Sequence, residues 1–118
     1  MPPLHPVKGT VTFRGQPAVG FRVIFNPLTD IGKVKYSPAA LTDATGTFEI
    51  TSLKPGDGAP VGDYAITIQW PDHINEPTNP DPVPEVDKLR GAYNNPQRSK
   101  FRVSVLPGPN TLLPFALN

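Results

Sequence analysis

Several groups of residues in this chain are of types that do chemistry at short spacing. Asp72-His73-Ile74-Asn75-Glu76 sets two carboxylates and an imidazole within five positions, the donor types that hold a divalent cation. Metal sites draw ligands from several elements, and this segment sits among prolines in a polar stretch, so a solvated loop without metal or other cofactor is expected. Asp57-Gly58 and Asp63 lack the alternating oxygen ligands and closing glutamate of a calcium loop, and read as a turn former and a strand opener. Trp70, Tyr93 and Tyr36 are aromatics of the kind that stack on sugar rings. Trp70 nevertheless keeps the phase of Tyr64, Ile66 and Ile68, which points to packing. Arg98, Lys100 and Arg102 form only a small basic cluster at a loop–strand junction, without the extended run of interleaved basic residues and aromatics of a single-strand groove, so no nucleic-acid groove is expected. The nucleophile elbow, the zinc-protease helix, the P-loop and the dinucleotide fingerprint are all missing, so no catalytic set is expected. Trp70, His73, Tyr93 and Arg98 remain as candidate binding residues.

The elements that must position these residues are strands. Val7, Gly9, Val11 and Phe13 fall on one face of a first strand and Lys8, Thr10, Thr12 and Arg14 on the other. Gly15-Gln16-Pro17 turns the chain, and Phe21, Val23 and Phe25 alternate with Arg22, Ile24 and Asn26 in a second strand. Residues 28–35 predict a polar loop, and 36–41 a short strand interrupted by Pro38, hence an edge or a bulged strand. Asp43-Ala44-Thr45-Gly46 predicts a tight turn with the Asp43 carboxylate capping it and Gly46 at a positive φ, before a strand carrying Phe48 and Ile50. After a glycine-rich connection over 55–60, Tyr64, Ile66, Ile68 and Trp70 share one face of the longest strand, opposite Asp63, Ala65, Thr67 and Gln69.

Residues 71–100 show no sustained period, and a stretch that long is rarely a passive connector. A helical turn over 85–90 would tuck Leu89 and Tyr93 onto the sheets. Alternation resumes at Phe101, Val103 and Val105, and Leu113, Phe115 and Leu117 make a last strand. The expected fold is all-β: a seven-stranded antiparallel Greek-key sandwich with one long loop, a single domain over 1–118.

Composition agrees with one folded domain. At 118 residues the chain can bury a core without staples. Its 17 prolines and 10 glycines fall just under the roughly 25–30% at which disorder becomes the default, and the alternating apolar strands decide for folding. A net charge of +1 supplies no field for nucleic acid or an anionic membrane. Within it, Asp72, Glu76, Asp81, Glu85 and Asp87 precede Lys88, Arg90, Arg98, Lys100 and Arg102, a pattern read as a solvated loop with compensating charges rather than a bipolar contact surface. The absence of cysteine removes disulfides and thiolate zinc sites, and no apolar run reaches the ~18–20 residues of a membrane helix. Met1-Pro2-Pro3 reads as a start placed before a trimmed domain.

Five runs carry a family resemblance: Val7-Lys8-Gly9-Thr10-Val11, Gly15-Gln16-Pro17-Ala18, Val23-Ile24-Phe25-Asn26-Pro27, Thr42-Asp43-Ala44-Thr45-Gly46-Thr47-Phe48 and Gly62-Asp63-Tyr64. Together they resemble the carboxypeptidase regulatory-like domain family, a transthyretin-like sandwich. Asp87-Lys88-Leu89-Arg90-Gly91-Ala92-Tyr93 and Asn110-Thr111-Leu112-Leu113-Pro114-Phe115 are similar to its small planctomycete envelope lipoprotein branch. The resemblance implies an extracytoplasmic, non-catalytic module, lipid-anchored through a cysteine upstream of this sequence, with an envelope protein or polysaccharide as partner. The family's purine-pathway hydrolases need a histidine cluster and a Tyr-Arg-Gly-Ser tail, whereas this chain has His5 and His73 and ends Phe115-Ala116-Leu117-Asn118. The adhesin-like relatives form a Lys–Asn isopeptide bond, for which Lys8 and Asn118 would be the partners, but Ile68 stands where the helper carboxylate belongs. Protein interaction or scaffolding is therefore the expected role, with the 71–100 excursion as first surface. A carbohydrate-binding module built on Trp70 and Tyr93 is the alternative.

Overall fold

Strict alternation makes the first strand. In the computed structural model, which describes residues 4–28, 38–52, 56–73, 78, 80–112 and 114–117, Val7, Gly9 and Val11 of β1 (Val7–Phe13) are buried while Lys8 is exposed. The turn at Arg14-Gly15 returns the chain as β2 (Gln16–Pro17), a two-residue strand where a plain turn was expected. β3 (Arg22–Pro27) buries Val23 and Phe25, and β4 (Ala39–Leu41) pairs with it after Pro38; Tyr36 lies outside the described residues. Then come β5 (Thr47–Glu49), β6 (Gly62–Gln69), a single 3-10 turn Pro96–Arg98, β7 (Phe101–Val105), β8 (Asn110–Thr111) and β9 (Phe115–Leu117).

These strands make two sheets, and the fold is an all-β sandwich. One sheet is built around β1, with β2 and β5 antiparallel to it and β8 and β9 parallel to it. The other is antiparallel throughout, in the order β4-β3-β6-β7. Two expectations change here. The described residues form nine short strands rather than seven, because β2 is a strand of its own and β8 pairs with β1 ahead of the expected last strand. The first sheet is mixed rather than antiparallel, because the chain leaves β7 in one sheet and returns along β1 in the same direction in the other.

The core lies between the sheets. Val11, Phe48 and Leu117 on one side meet Val23, Phe25, Tyr64, Ile66 and Ile68 on the other, all at 1% exposure or less, each such side chain contributing about 1.5–3 kcal/mol. Tyr64 is buried to its hydroxyl, which donates to the Pro60 carbonyl at 2.7 Å. On one flank the sheets are stitched together: Ala39 and Thr51 exchange both backbone bonds, at 3.0 and 2.9 Å. The second face of β6, carrying Ala65 and Thr67, is buried as well. There the Asn26 amide reaches across to donate to the Ala65 carbonyl at 3.1 Å and to Thr67 Oγ1 at 3.0 Å. No helix among the described residues is long and apolar enough to cross a membrane.

Candidate functional site

β7 covers only part of the β6 edge, and the excursion over 71–100 continues along the rest. Ile68 N donates to the Tyr93 carbonyl at 2.8 Å, and Lys88 N to the Trp70 carbonyl at 2.7 Å. Asp87 organises this return. Its Oδ1 accepts from Trp70 N and Leu89 N, both at 2.9 Å, and its Oδ2 from Gly91 N at 3.0 Å. Residues 88–93 consequently run as consecutive turns rather than the expected helical turn, while Leu89 and Tyr93 pack on the core as expected.

Further out, Asp72 and His73 form a clasp. Asp72 Oδ1 accepts from Val86 N at 3.0 Å, Asp72 N donates to the Val86 carbonyl at 2.9 Å, and His73 Nδ1 lies 2.7 Å from Asp72 Oδ1. His73 Nε2 is 3.0 Å from the Val83 carbonyl, so both ring nitrogens face acceptors and only the imidazolium donates to both. The Val83 carbonyl, then the Asp72 carboxylate, hold the His73 pKa above the ordinary imidazole value. Asp72 is held below the usual carboxylate range, first by the Val86 N–H. Arg22 on β3 reaches the tip in a forked pair with Glu85, at 2.8 and 3.3 Å.

The four candidate binding residues separate in space. Trp70 closes one end of the core, its ring stacked on Phe21 at 4.8 Å and 20° and edge-on to Phe13 at 5.5 Å. The Lys88 ammonium stands 4.7 Å from the Trp70 ring centre, so a sugar platform there would have to displace it. His73 belongs to the clasp. Tyr93 and Arg98 do meet, in a hollow of about 220 Å³ that also takes in Asn95, Ser99, Lys100 and Phe101. The Tyr93 ring lies along Phe101 at 6.1 Å and 23°, and Arg98 and Lys100 bring two cations to the rim. Phe101 continues the aromatic row to Phe115 at 5.0 Å.

A second, open groove of about 590 Å³ runs beside β5, lined by Lys8, Asp43, Thr45, Thr47, Glu49 and Thr51 among others. Asp43 is committed to its turn there: the Thr45 hydroxyl and the Thr45 and Thr47 amides hold its pKa below the usual carboxylate range. Among the described residues, no three His, Asp or Glu side chains are grouped to hold a metal ion; Asn75, Glu76 and Asn118 lie outside them. Glu85, Asp87 and Ser99 carry the local order and were not singled out from the sequence. For Asp87 a signal was available, since an aspartate four residues before a glycine in a turn-rich stretch suits capping.

The two packed sheets place the chain in the all-β class. No family model matches it, nor does any curated protein. The chain is similar to a solved structure, the crystal structure of a 9R-lipoxygenase from Cyanothece PCC8801, at 16% identity and a TM-score of 0.48. That likeness covers 97% of this chain and 16% of the other, so the chain spans about a sixth of that protein's length.

Proposed function

We propose that the chain is a non-enzymatic interaction module outside the cytoplasm, recognising an envelope protein or polysaccharide through its 71–100 excursion. The observation that carries this reading is an exposed apolar pair on a pinned frame. Val83 and Val86 are 61% and 60% exposed, yet their segment is tied down by the Asp72–His73 clasp and by Arg22–Glu85. Prolines 80, 82 and 84 stiffen the same segment, so little entropy is lost on binding. The Greek-key, transthyretin-like topology and membership of the carboxypeptidase regulatory-like family belong to this proposal. The family and its transthyretin-like sandwich rest on the five sequence runs, the Greek-key order on the strand and turn pattern, and the extracytoplasmic setting with a lipid anchor on the likeness of residues 87–93 and 110–115 to the lipoprotein branch.

The test is a pull-down from solubilised native envelope with the intact chain and with a Val83→Asp/Val86→Asp variant. These positions are exposed, so the fold survives the change. Retention of a partner by the first and its loss by the second is the expected result; equal retention sinks the assignment of the surface. Carbohydrate binding is the second reading, and the hollow at Tyr93 and Arg98 favours it over Trp70. Its test is a glycan titration in which a Tyr93→Ala variant loses binding and a Lys88→Ala variant beside Trp70 does not.

A further inference from the structure

Among the described residues, the edge of the second sheet at β7 carries a set of backbone groups with no strand partner, whose direction follows from the register. The Asp63 carbonyl accepts from Leu28 N at 2.8 Å on the β3 flank of β6, so Asp63 and Ala65 turn their backbone groups toward β3. Gly62, Tyr64 and Ile66 therefore face β7, where they stand opposite Val105, Val103 and Phe101. By the same alternation, the N–H and C=O groups of Arg102 and Ser104 point away from β6. Among the described residues β7 pairs with β6 alone. Further along, Leu106 N is taken by Asn110 Oδ1 at 3.0 Å, which limits the open edge to one antiparallel repeat of four groups.

The side chains around this edge are complementary to themselves. Arg102 and Ser104 are exposed on the outer face, and the Ser104 hydroxyl donates to Asp63 on the neighbouring strand. On the inner face Phe101 and Val103 are half-buried. They line a groove of about 390 Å³ with Leu112, Pro114 and Phe115, where the two sheets gape.

We propose that the occupant of this edge is a second copy of the chain. Its β7 lies antiparallel to the first across a twofold axis beside Val103, joining two four-stranded sheets into one of eight. In this register Arg102 exchanges two backbone bonds with Ser104 of the second copy, and the symmetry gives two more. Each outer row then reads Asp63, Ser104, and Arg102 of the second copy, an acid and a base separated by a short hydroxyl. The central inner row, on the axis, is Tyr64, Val103 and their two counterparts, with no charge in it. Sliding the pairing so that Arg102 meets its own counterpart sets like charges opposite each other. Sliding it the other way brings Arg102 against Leu106, whose N–H is already engaged. Closure by a twofold axis also consumes the edge, so no filament follows. This inference is independent of the excursion surface.

So short an edge buries less than a standard interface, so the dimer is weak, with a Kd on the order of 100 µM. Sedimentation equilibrium of the intact chain from about 10 to 1000 µM should show reversible monomer–dimer exchange in that range. Arg102→Glu places a carboxylate beside Asp63 of the second copy and should raise Kd at least about tenfold, as should Asp63→Arg. The double variant Arg102→Glu/Asp63→Arg reverses both charges and should return Kd to within about threefold of the parent. Both side chains are exposed, and matching circular dichroism spectra would show that the fold is intact. A mass of 12.7 kDa at every concentration overturns the proposal, even if an acidic peptide binds the edge instead. So does a dimer indifferent to Arg102→Glu, or a double variant that stays monomeric.

Discussion

His73 shows how a residue that looks like a ligand can be a fastener. Its two ring nitrogens face the Asp72 carboxylate and the Val83 carbonyl, with the side chain 35% exposed, so protonation strengthens both contacts. Because the His73 pKa is raised, its contribution is complete below the ordinary imidazole value of 6.5 and is lost as pH climbs through the higher folded value. Asp72 has the opposite sign: its pKa is lowered, so its share is present above 3.8 and disappears as pH falls through the lower folded value. The clasp therefore holds best between these limits, across weakly acidic pH. A proton NMR titration of His73 should give a midpoint above that of the same residue in the denaturant-unfolded chain, and Asp72→Asn should bring it down. A His73 midpoint unmoved by Asp72→Asn would remove the clasp. Trp70 makes a similar point about packing. Stacked on Phe21 and edge-on to Phe13, it should cost about 3 kcal/mol when cut to alanine, read as a lower denaturant midpoint with an unchanged slope.

At the scale of elements, the excursion is ordered by acids that use their carboxylates on backbone N–H groups. Removing the Asp87 carboxylate with Asp87→Ala leaves the N–H groups of Trp70, Leu89 and Gly91 without it, a loss comparable to a helix cap at about 1–2 kcal/mol. Hydrogen exchange at residues 88–94 should then accelerate while the β6 amides facing β3 stay protected; uniform acceleration would mean that the excursion and the sheet open together. The strands were legible in the sequence because alternation exposes their faces directly. Val7, Gly9 and Val11, Val23 and Phe25, and Tyr64, Ile66 and Ile68 are buried as read, and Gly46 does take φ +76° with Asp43 capping its turn. Local patterns could not show the parallel pairing of β9 with β1, since Val11 and Phe115 lie at opposite ends of the chain. Nor could they show that Trp70 and Tyr93 join different aromatic groups, because ring positions depend on how the excursion folds back on β6. The pairing of Arg22 with Glu85 was hidden in the same way, in a stretch whose charges suggested only solvation.

For the whole molecule, the consequence of that topology is that the N-terminal strand depends on the C-terminal one. β1 has β2 and β5 on one edge, and its other edge is completed by β8 and β9, with Arg14 N donating to the Leu117 carbonyl at 2.9 Å. Phe115 is 6% exposed and joins the two sheets, lying along Phe48 at 6.0 Å and against Phe101 at 5.0 Å. A buried phenylalanine cut to alanine costs about 3–5 kcal/mol, a large part of the 5–15 kcal/mol that holds a domain of this size together. Phe115→Ala should therefore lower Tm by about 15–20 °C, measured by calorimetry. Phe101→Ala should cost less, because that ring is only half-buried at the open side of the sandwich. The order of the two effects is the sharper check, since general loosening would scale with lost volume and treat the two phenylalanines alike. If Phe101→Ala proves the more damaging, the sandwich is held at its β7 side, and β9 is an appendage rather than the strand that closes the first sheet.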